Sequence, residues 1–331
     1  MRIASTTLLL LLPLLSLAQA GTVDTNFGIS GLGLVDAYPN ENEYGWTVDV
    51  LPDGDLFVIG QRTNTQQLAI RFNGDGGLDN TYGTDGVAPG LSMVVRDGRV
   101  LPDGRFLAVG ESAGQVCVGR CLPDGSVDQT YGTNGLASVD VSATLDRVEA
   151  CGLAADGGLY ITGYNGALPF DLFVVKLDSN GTPDPTFGTN GIVQSTHAEL
   201  DQGHDVIEDD QGRVVIAGLT RDGNWYLTLW RFLSDGSPDV TFGTNGEFRA
   251  LDSTGAGDGV VRQDAAGNYV AAGYLGWPGG GALHVYRATP DGTLEMTFGT
   301  NGMQAFDIGS GESPSDMVLL PDGRIYVGGH A

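Results

Sequence analysis

The sequence is poor in positive charge, in histidine and in cysteine. Its 16 Lys and Arg stand against 41 Asp and Glu, for a formal net charge of −25. So acidic a surface repels phosphate backbones and anionic bilayers, which excludes nucleic acid as a partner. The four histidines, His197, His204, His284 and His330, share no common spacing, and no His-Glu-x-x-His pair or phosphate-binding loop occurs. The cysteines are Cys117, Cys121 and Cys151. On an extended strand the Cα atoms of Cys117 and Cys121 would be about 13 Å apart, beyond disulfide reach. Without a following His, Cys-x3-Cys is not a haem attachment site either. All three read as core substitutions, although an export compartment would permit one disulfide to Cys151. After residue 20 no run approaches the ~20 apolar residues of a membrane-spanning helix, so no membrane insertion of the mature chain is expected.

The one sustained apolar stretch lies at the start. Arg2 supplies a minimal positive region, Leu8 to Leu17 is apolar apart from Pro13 and Ser16, and Ala18-Gln19-Ala20 fits a small-x-small cleavage rule. Residues 1–20 therefore read as a secretory signal and 21–331 as the mature chain. Losing Arg2 makes the chain more acidic still.

What is abundant is glycine. With 53 Gly, 41% hydrophobic and only 17% charged residues, the chain is turn-rich and globular. Much of the glycine is periodic. An aromatic-Gly pair recurs at Phe27-Gly28, Tyr82-Gly83, Tyr131-Gly132, Phe187-Gly188, Phe242-Gly243 and Phe298-Gly299. A second marker, Gly followed six residues later by Gly across an apolar run, begins at Gly54, Gly104, Gly157, Gly212, Gly267 and Gly323. Apolar runs on either side of Pro-Asp-Gly, as in residues 98–110, are hairpin signals. Short continuous runs such as Val214-Val215-Ile216-Ala217 suit strands buried on both faces. Four short strands a, b, c and d per unit of about 55 residues predict an all-β, six-bladed β-propeller over 21–331. Strand a, following each aromatic-Gly pair, is expected innermost. The last unit stops after strand c, so the last blade is expected to lack its outer strand d.

The pattern Asp-x-x-Phe-Gly-Thr-Asn-Gly, then Pro-Asp-Gly-Arg with an apolar run ending in Gly, resembles the delta-60 repeat family of bacterial β-propellers. Residues 182–191 are nearly its consensus, and the resemblance covers 21–331. It implies a propeller in an envelope or extracellular setting. It carries no activity and no functional residues to transfer.

Two charges recur in phase. A basic residue lies five before the Gly that closes strand d, at Arg71, Arg120, Lys176, Arg231 and Arg287. An acid lies three after that Gly, at Asp79, Asp128, Asp184, Asp239 and Glu295. They are read as turn-bracing ion pairs, because binding sites break a repeat's symmetry. The repeated aromatics are read as wedges between blades. Gly110-Glu111-Ser112-Ala113-Gly114 matches a nucleophile elbow, but a strand follows Ser112 where an elbow needs a helix. Asp178 with Asn180 is expected to form an Asx turn. His197 and His204 share one a-to-b loop, and Trp225, Tyr226 and Trp277 are candidates for an exposed binding patch.

The repeat breaks at Asp36, Asp140 and Asp307, acids at one level of strand a. If strand a lines the channel, these three would meet at one mouth and could hold a hard cation, so Ca2+ is the one cofactor the pattern admits. The expected function is a non-enzymatic, secreted or periplasmic scaffold that binds a protein or carbohydrate. The alternative is a hydrolase or lyase working at the channel mouth.

Overall fold

The computed structural model describes residues 23–330 apart from short gaps at 31, 34, 39–40, 64–65, 167, 196–198, 251–255, 277–280, 308 and 310–311. The expected signal, 1–20, lies outside the described residues.

The fold is an all-β propeller. Sheet one comprises β1 (Glu43–Val50), β2 (Leu56–Arg62), β3 (Gln66–Phe72) and β4 (Val87–Ser92). Sheet two is β5 (Val94–Val100), β6 (Phe106–Ser112), β7 (Gln115–Cys121) and β8 (Leu136–Val139). Sheet three holds β9 (Asp146–Leu153), β10 (Leu159–Asn165), β11 (Leu172–Leu177) and β12 (Ile192–Gln194). Sheet four holds β13 (Leu200–Glu208), β14 (Val214–Asp222), β15 (Asn224–Phe232) and β16 (Glu247–Arg249). Sheet five is β17 (Ala256–Gln263), β18 (Tyr269–Leu275), β19 (Ala282–Ala288) and β20 (Met303–Phe306), and sheet six, among the described residues, is β21 (Ser313–Leu319) with β22 (Ile325–His330).

All pairings within the sheets are antiparallel, in chain order. The first strands pack in succession, β1 on β5, β5 on β9, β9 on β13, β13 on β17 and β17 on β21. Residues from all six line one cavity of about 630 Å³. The strand before Pro-Asp-Gly is therefore the inner one. This corrects the expectation for strand a: β4, β8, β12, β16 and β20 are the outermost strands, each added to the strand d that precedes it. The aromatic-Gly turn brings the chain back along the edge strand it has just made, and the chain returns to the centre only afterwards.

Each first hairpin turns as its sequence predicts. Gly54 adopts φ 91° and donates its N–H to Leu51 O at 2.9 Å. Between sheets the core is apolar. Leu107 and Val109 of sheet two pack with Cys151, Ile161 and Phe173 of sheet three, all at most 4% exposed. The repeated aromatics are wedges: Tyr82, Tyr131, Phe187 and Phe242 are at most 2% exposed.

The recurring charges are ion pairs. Arg120 meets Asp128 at 2.8 Å, Lys176 meets Asp184 at 2.9 Å, and Arg231 meets Asp239 at 2.8 Å. Arg71 meets Asp79 at 3.1 Å, whereas Arg287 turns to Asp264 at 3.4 Å. Arg231, 1% exposed, also donates to Pro290 O in the next unit, so the pair ties sheets together as well as bracing a turn. Cys117, Cys121 and Cys151 are buried and free.

Candidate functional site

Every inner strand carries a β-bulge near its start. The register slips at Trp46 in β1, Arg96 in β5, Glu149 in β9, His204 in β13, Asp258 in β17 and Ser315 in β21. A bulge inserts one unpaired residue and re-aims its side chain. Here the backbone device repeats while the side chain differs in every unit. Trp46, Arg96, Glu149, His204 and Ser315 line the central cavity.

The bulge also explains the second glycine marker. A methyl group on Gly60, Gly110, Gly163 or Gly218 would overlap the carbonyl oxygen of Tyr44, Val94, Arg147 or Gln202, the residue two before the bulge. Gly329 meets Ser313 O in the same way, and Gly273 meets Asp258 O at 2.9 Å. Only glycine lets the second strand pass so close to the bulged first one.

At the bulged end the side chains form a polar cluster. Arg96 Nε lies 3.2 Å from Glu111 Oε2, while Glu111 Oε1 accepts from Val148 N at 2.8 Å. His204 Nδ1 stands 3.5 Å from Asp258 Oδ1, and the Ser313 hydroxyl donates to the other oxygen of Asp258. His204 Nε2 is buried with no hydrogen-bond partner among the described residues. Burial pushes the Glu149 carboxyl above the usual range, opposed by His204, Arg96 and Arg147. Burial and the adjoining Glu149 together raise the Tyr164 hydroxyl. The cluster thus offers a carboxyl whose burial disfavours its charged form, an imidazole backed by a carboxylate, and a guanidinium, and the indole of Trp46 lines the same cavity.

Deeper in the cavity, carboxylates clip one inner strand to the next. Asp49 accepts from Val100 N, Asp97 from Cys151 N and Asp205 from Val261 N, each at 2.9 Å. Arg99 pairs with Asp97 at 2.6 Å and donates to Cys151 O. Arg262 bridges Asp205 and Asp316.

The aspartates singled out from the sequence lie elsewhere. Asp140 follows β8 and Asp307 follows β20, on the outer edges of sheets two and five, while Asp36 belongs to the N-terminal segment; all three are exposed. Their convergence required strand a to be innermost, and the strand order puts it outermost, so they are not brought together. Of the two histidines expected in one loop, His204 is in β13 and in the cavity, and His197 lies outside the described residues. Ser112 ends β6, and Ala113-Gly114 turn directly into β7 with φ 53° and 85°, so no elbow forms. Asp178 Oδ1 accepts from Asn180 N at 2.9 Å, an Asx turn. Trp225 and Tyr226 lie in β15 under Arg221 and Arg249, and Trp277 is outside the described residues.

Sequence reasoning missed the bulge residues other than His204. The signal was present in the glycines at 60, 110, 163, 218, 273 and 329, whose partners across the hairpin are the bulges.

Residues 154–187 and 212–242 match the model of a family described as Domain of unknown function (DUF5122) beta-propeller. No curated protein matches the chain. Among solved structures it is similar to Drosophila Semaphorin 2a, at 9% identity, TM-score 0.49, and coverage of 87% of this chain and 62% of that one. A Lactobacillus plantarum protein gives 11% identity and TM-score 0.47, covering 84% of this chain and 75% of the other. The K499G mutant of NanB sialidase from Streptococcus pneumoniae gives 9% identity and TM-score 0.41 over 63% of this chain, which spans only 32% of the sialidase.

Proposed function

We propose that this propeller is an exported, non-enzymatic binding scaffold whose central cavity takes a carbohydrate. The carrying observation is the bulge ring. Six equivalent backbone positions present six different side chains, and five of them line a cavity of about 630 Å³. An indole, a guanidinium, a carboxyl and an imidazole lining one cavity suit a sugar ring, which offers an apolar face and a rim of hydroxyls. Export, to the periplasm or beyond, rests on the signal-like residues 1–20, and membership of the delta-60 repeats within the propeller class rests on the recurring Asp-x-x-Phe-Gly motif.

Calorimetric titration with a panel of soluble oligosaccharides tests the reading. At least one sugar should bind saturably, and Trp46→Ala should weaken it about tenfold with the melting temperature unchanged. Absence of saturable heat across the panel would sink it. One observation favours a second reading, hydrolysis: the raised Glu149 carboxyl stands near His204, as an acid and base pair would require. Turnover separates the two: a bound sugar cleaved by the wild type, with cleavage abolished in Glu149→Gln, favours the hydrolase, and a sugar bound but not cleaved by the wild type favours the scaffold.

A further inference from the structure

In a chain with 41 Asp and Glu, the few cations are almost all spent. Among the described residues every Lys and Arg but one pairs with a carboxylate at 3.5 Å or less. The exception is Arg147, the second residue of β9, which is exposed. Its guanidinium makes no ion pair and no hydrogen bond among the described residues. The residues in its phase, two before each bulge, are Tyr44, Val94, Gln202, Ala256 and Ser313, all uncharged. A charge present in a single unit breaks the symmetry of the repeat, as a binding site does and a shared structural brace does not.

Arg147 lines a pocket of about 380 Å³ between sheets two and three, at the bulged end, together with Arg96, Glu111, Ser112 and Leu145. Arg96 also lines the central cavity, so the two spaces share a wall. Arg96 hydrogen-bonds Glu111 through Nε, at 3.2 Å, and its two terminal nitrogens donate to no group among the described residues. Glu111 is anchored in turn by Val148 N, as Gln61, in the same phase of sheet one, is anchored by Val95 N at 2.8 Å. Glu111 is thus a positioning residue: it fixes one edge of the Arg96 guanidinium and leaves the other edge unspent. The remaining acid of the pocket, Asp146, accepts from Val141 N at 2.9 Å and from the Ser142 hydroxyl at 2.7 Å. Both carboxylates are engaged, and two guanidiniums with unspent N–H groups line one space.

Two like charges beside one pocket repel unless an anion lies between them. The planar fork of arginine fits the paired oxygens of a carboxylate. A single anionic group is the limit, because Glu111 and Asp146 stand beside the pocket and a net charge of −25 repels a polyanion. Next to the guanidiniums, Leu145 is 64% exposed and offers an apolar surface, and Ser112 offers a hydroxyl. A carboxylate carried on a ring with an apolar face and a rim of hydroxyls has the chemistry of a uronic acid.

On the reading that the central cavity takes a carbohydrate, we propose that this pocket is the subsite for the carboxylate of an acidic sugar, one unit of the saccharide in the cavity. Arg147 and Arg96 hold the carboxylate, and Leu145 packs against the ring. The bound saccharide therefore carries one uronic acid.

The test is calorimetric titration of the full protein with disaccharides that contain one uronic acid, each compared with its own methyl ester. At least one acid should bind saturably and about tenfold tighter than its ester, the worth of a hydrogen bond to a charged group. Arg147→Gln should bring the acid-to-ester ratio to about one; Arg147 is exposed and unbonded, so the variant folds with an unchanged melting temperature. Arg221→Gln, which removes an exposed arginine of sheet four, should leave the preference intact. Acid and ester bound equally by the wild type overturn the subsite and leave the carbohydrate reading standing, as does a preference that survives Arg147→Gln. Absence of saturable heat with every disaccharide and every ester overturns both. An acetylated glutamate-containing tripeptide that binds as tightly as the acidic sugar, and is lost in Arg147→Gln, would assign the pocket to an acidic protein segment and overturn the sugar.

Discussion

The seam between sheets two and three and the seam between sheets six and one are built from the same repeat positions and end differently. In the first, Leu107 is 4% exposed and Cys151 0%. In the second, their counterparts Tyr326 and Val48 are 48% and 60% exposed. Val48 is at least as apolar as Cys151, so composition alone is not the cause. The difference is the third strand: β7 and β11 extend sheets two and three outward and complete a two-layer core, whereas sheet six, among the described residues, is a hairpin. A two-stranded ribbon is marginal by itself, and the comparison shows how much of a blade's packing comes from its outer half.

The largest effect expected from this contrast is in the core. Phe173→Ala should destabilise by about 3 to 5 kcal/mol in denaturant titration, because it opens a cavity in a closed seam. Val48→Ala should stay within about 0.5 kcal/mol, being mostly in water already. Equal losses would show that the sixth seam is closed in solution.

Next come the ion pairs. Arg231→Ala strips the partner from Asp239 in a buried setting and should cost about 3 kcal/mol. Arg324→Ala in sheet six, where Arg324 and Asp322 are 59% and 53% exposed, should cost less than about 1 kcal/mol. A loss at Arg231 no larger than at Arg324 would mean that burial adds nothing to the repeated pair.

The smallest effect is a pH dependence. The Thr186 hydroxyl, then Lys176, hold the Asp184 carboxyl down to about 2. A folded-state value below the unfolded one, about 3.9, means that the contribution is complete above that pH and is lost as pH falls towards 2. Asp184→Asn should therefore flatten the acid limb of the stability profile between about pH 4 and 2, with no change in its slope above pH 5. Parallel acid limbs for wild type and Asp184→Asn would remove the carboxylate from the account.

The residues show where inference from sequence works and where it stops. Pro-Asp-Gly, the aromatic-Gly pairs and the phased Arg and Asp are local or next-neighbour devices, and they form what their chemistry predicts except at Arg287, which pairs with Asp264. The order of strands across a blade is not local. An outer strand a and an inner strand a give the same periodicity, the same glycines and the same apolar runs, so Asp36, Asp140 and Asp307 could be placed at a mouth that the strand order then moved to the rim.

The sequence by itself determined that the chain is a repeat of short strands with fixed turns, because turn conformation, hairpin register and strand burial depend on residues a few positions apart. Tertiary structure decided which strand faces the axis and which side chains meet there. The bulges at Trp46, Arg96, Glu149, His204, Asp258 and Ser315 lie in six different sheets, and only the packing of one inner strand on the next turns them into a single site. Periodicity records what every unit shares; a site made from what each unit does differently acquires its geometry only when the units are assembled.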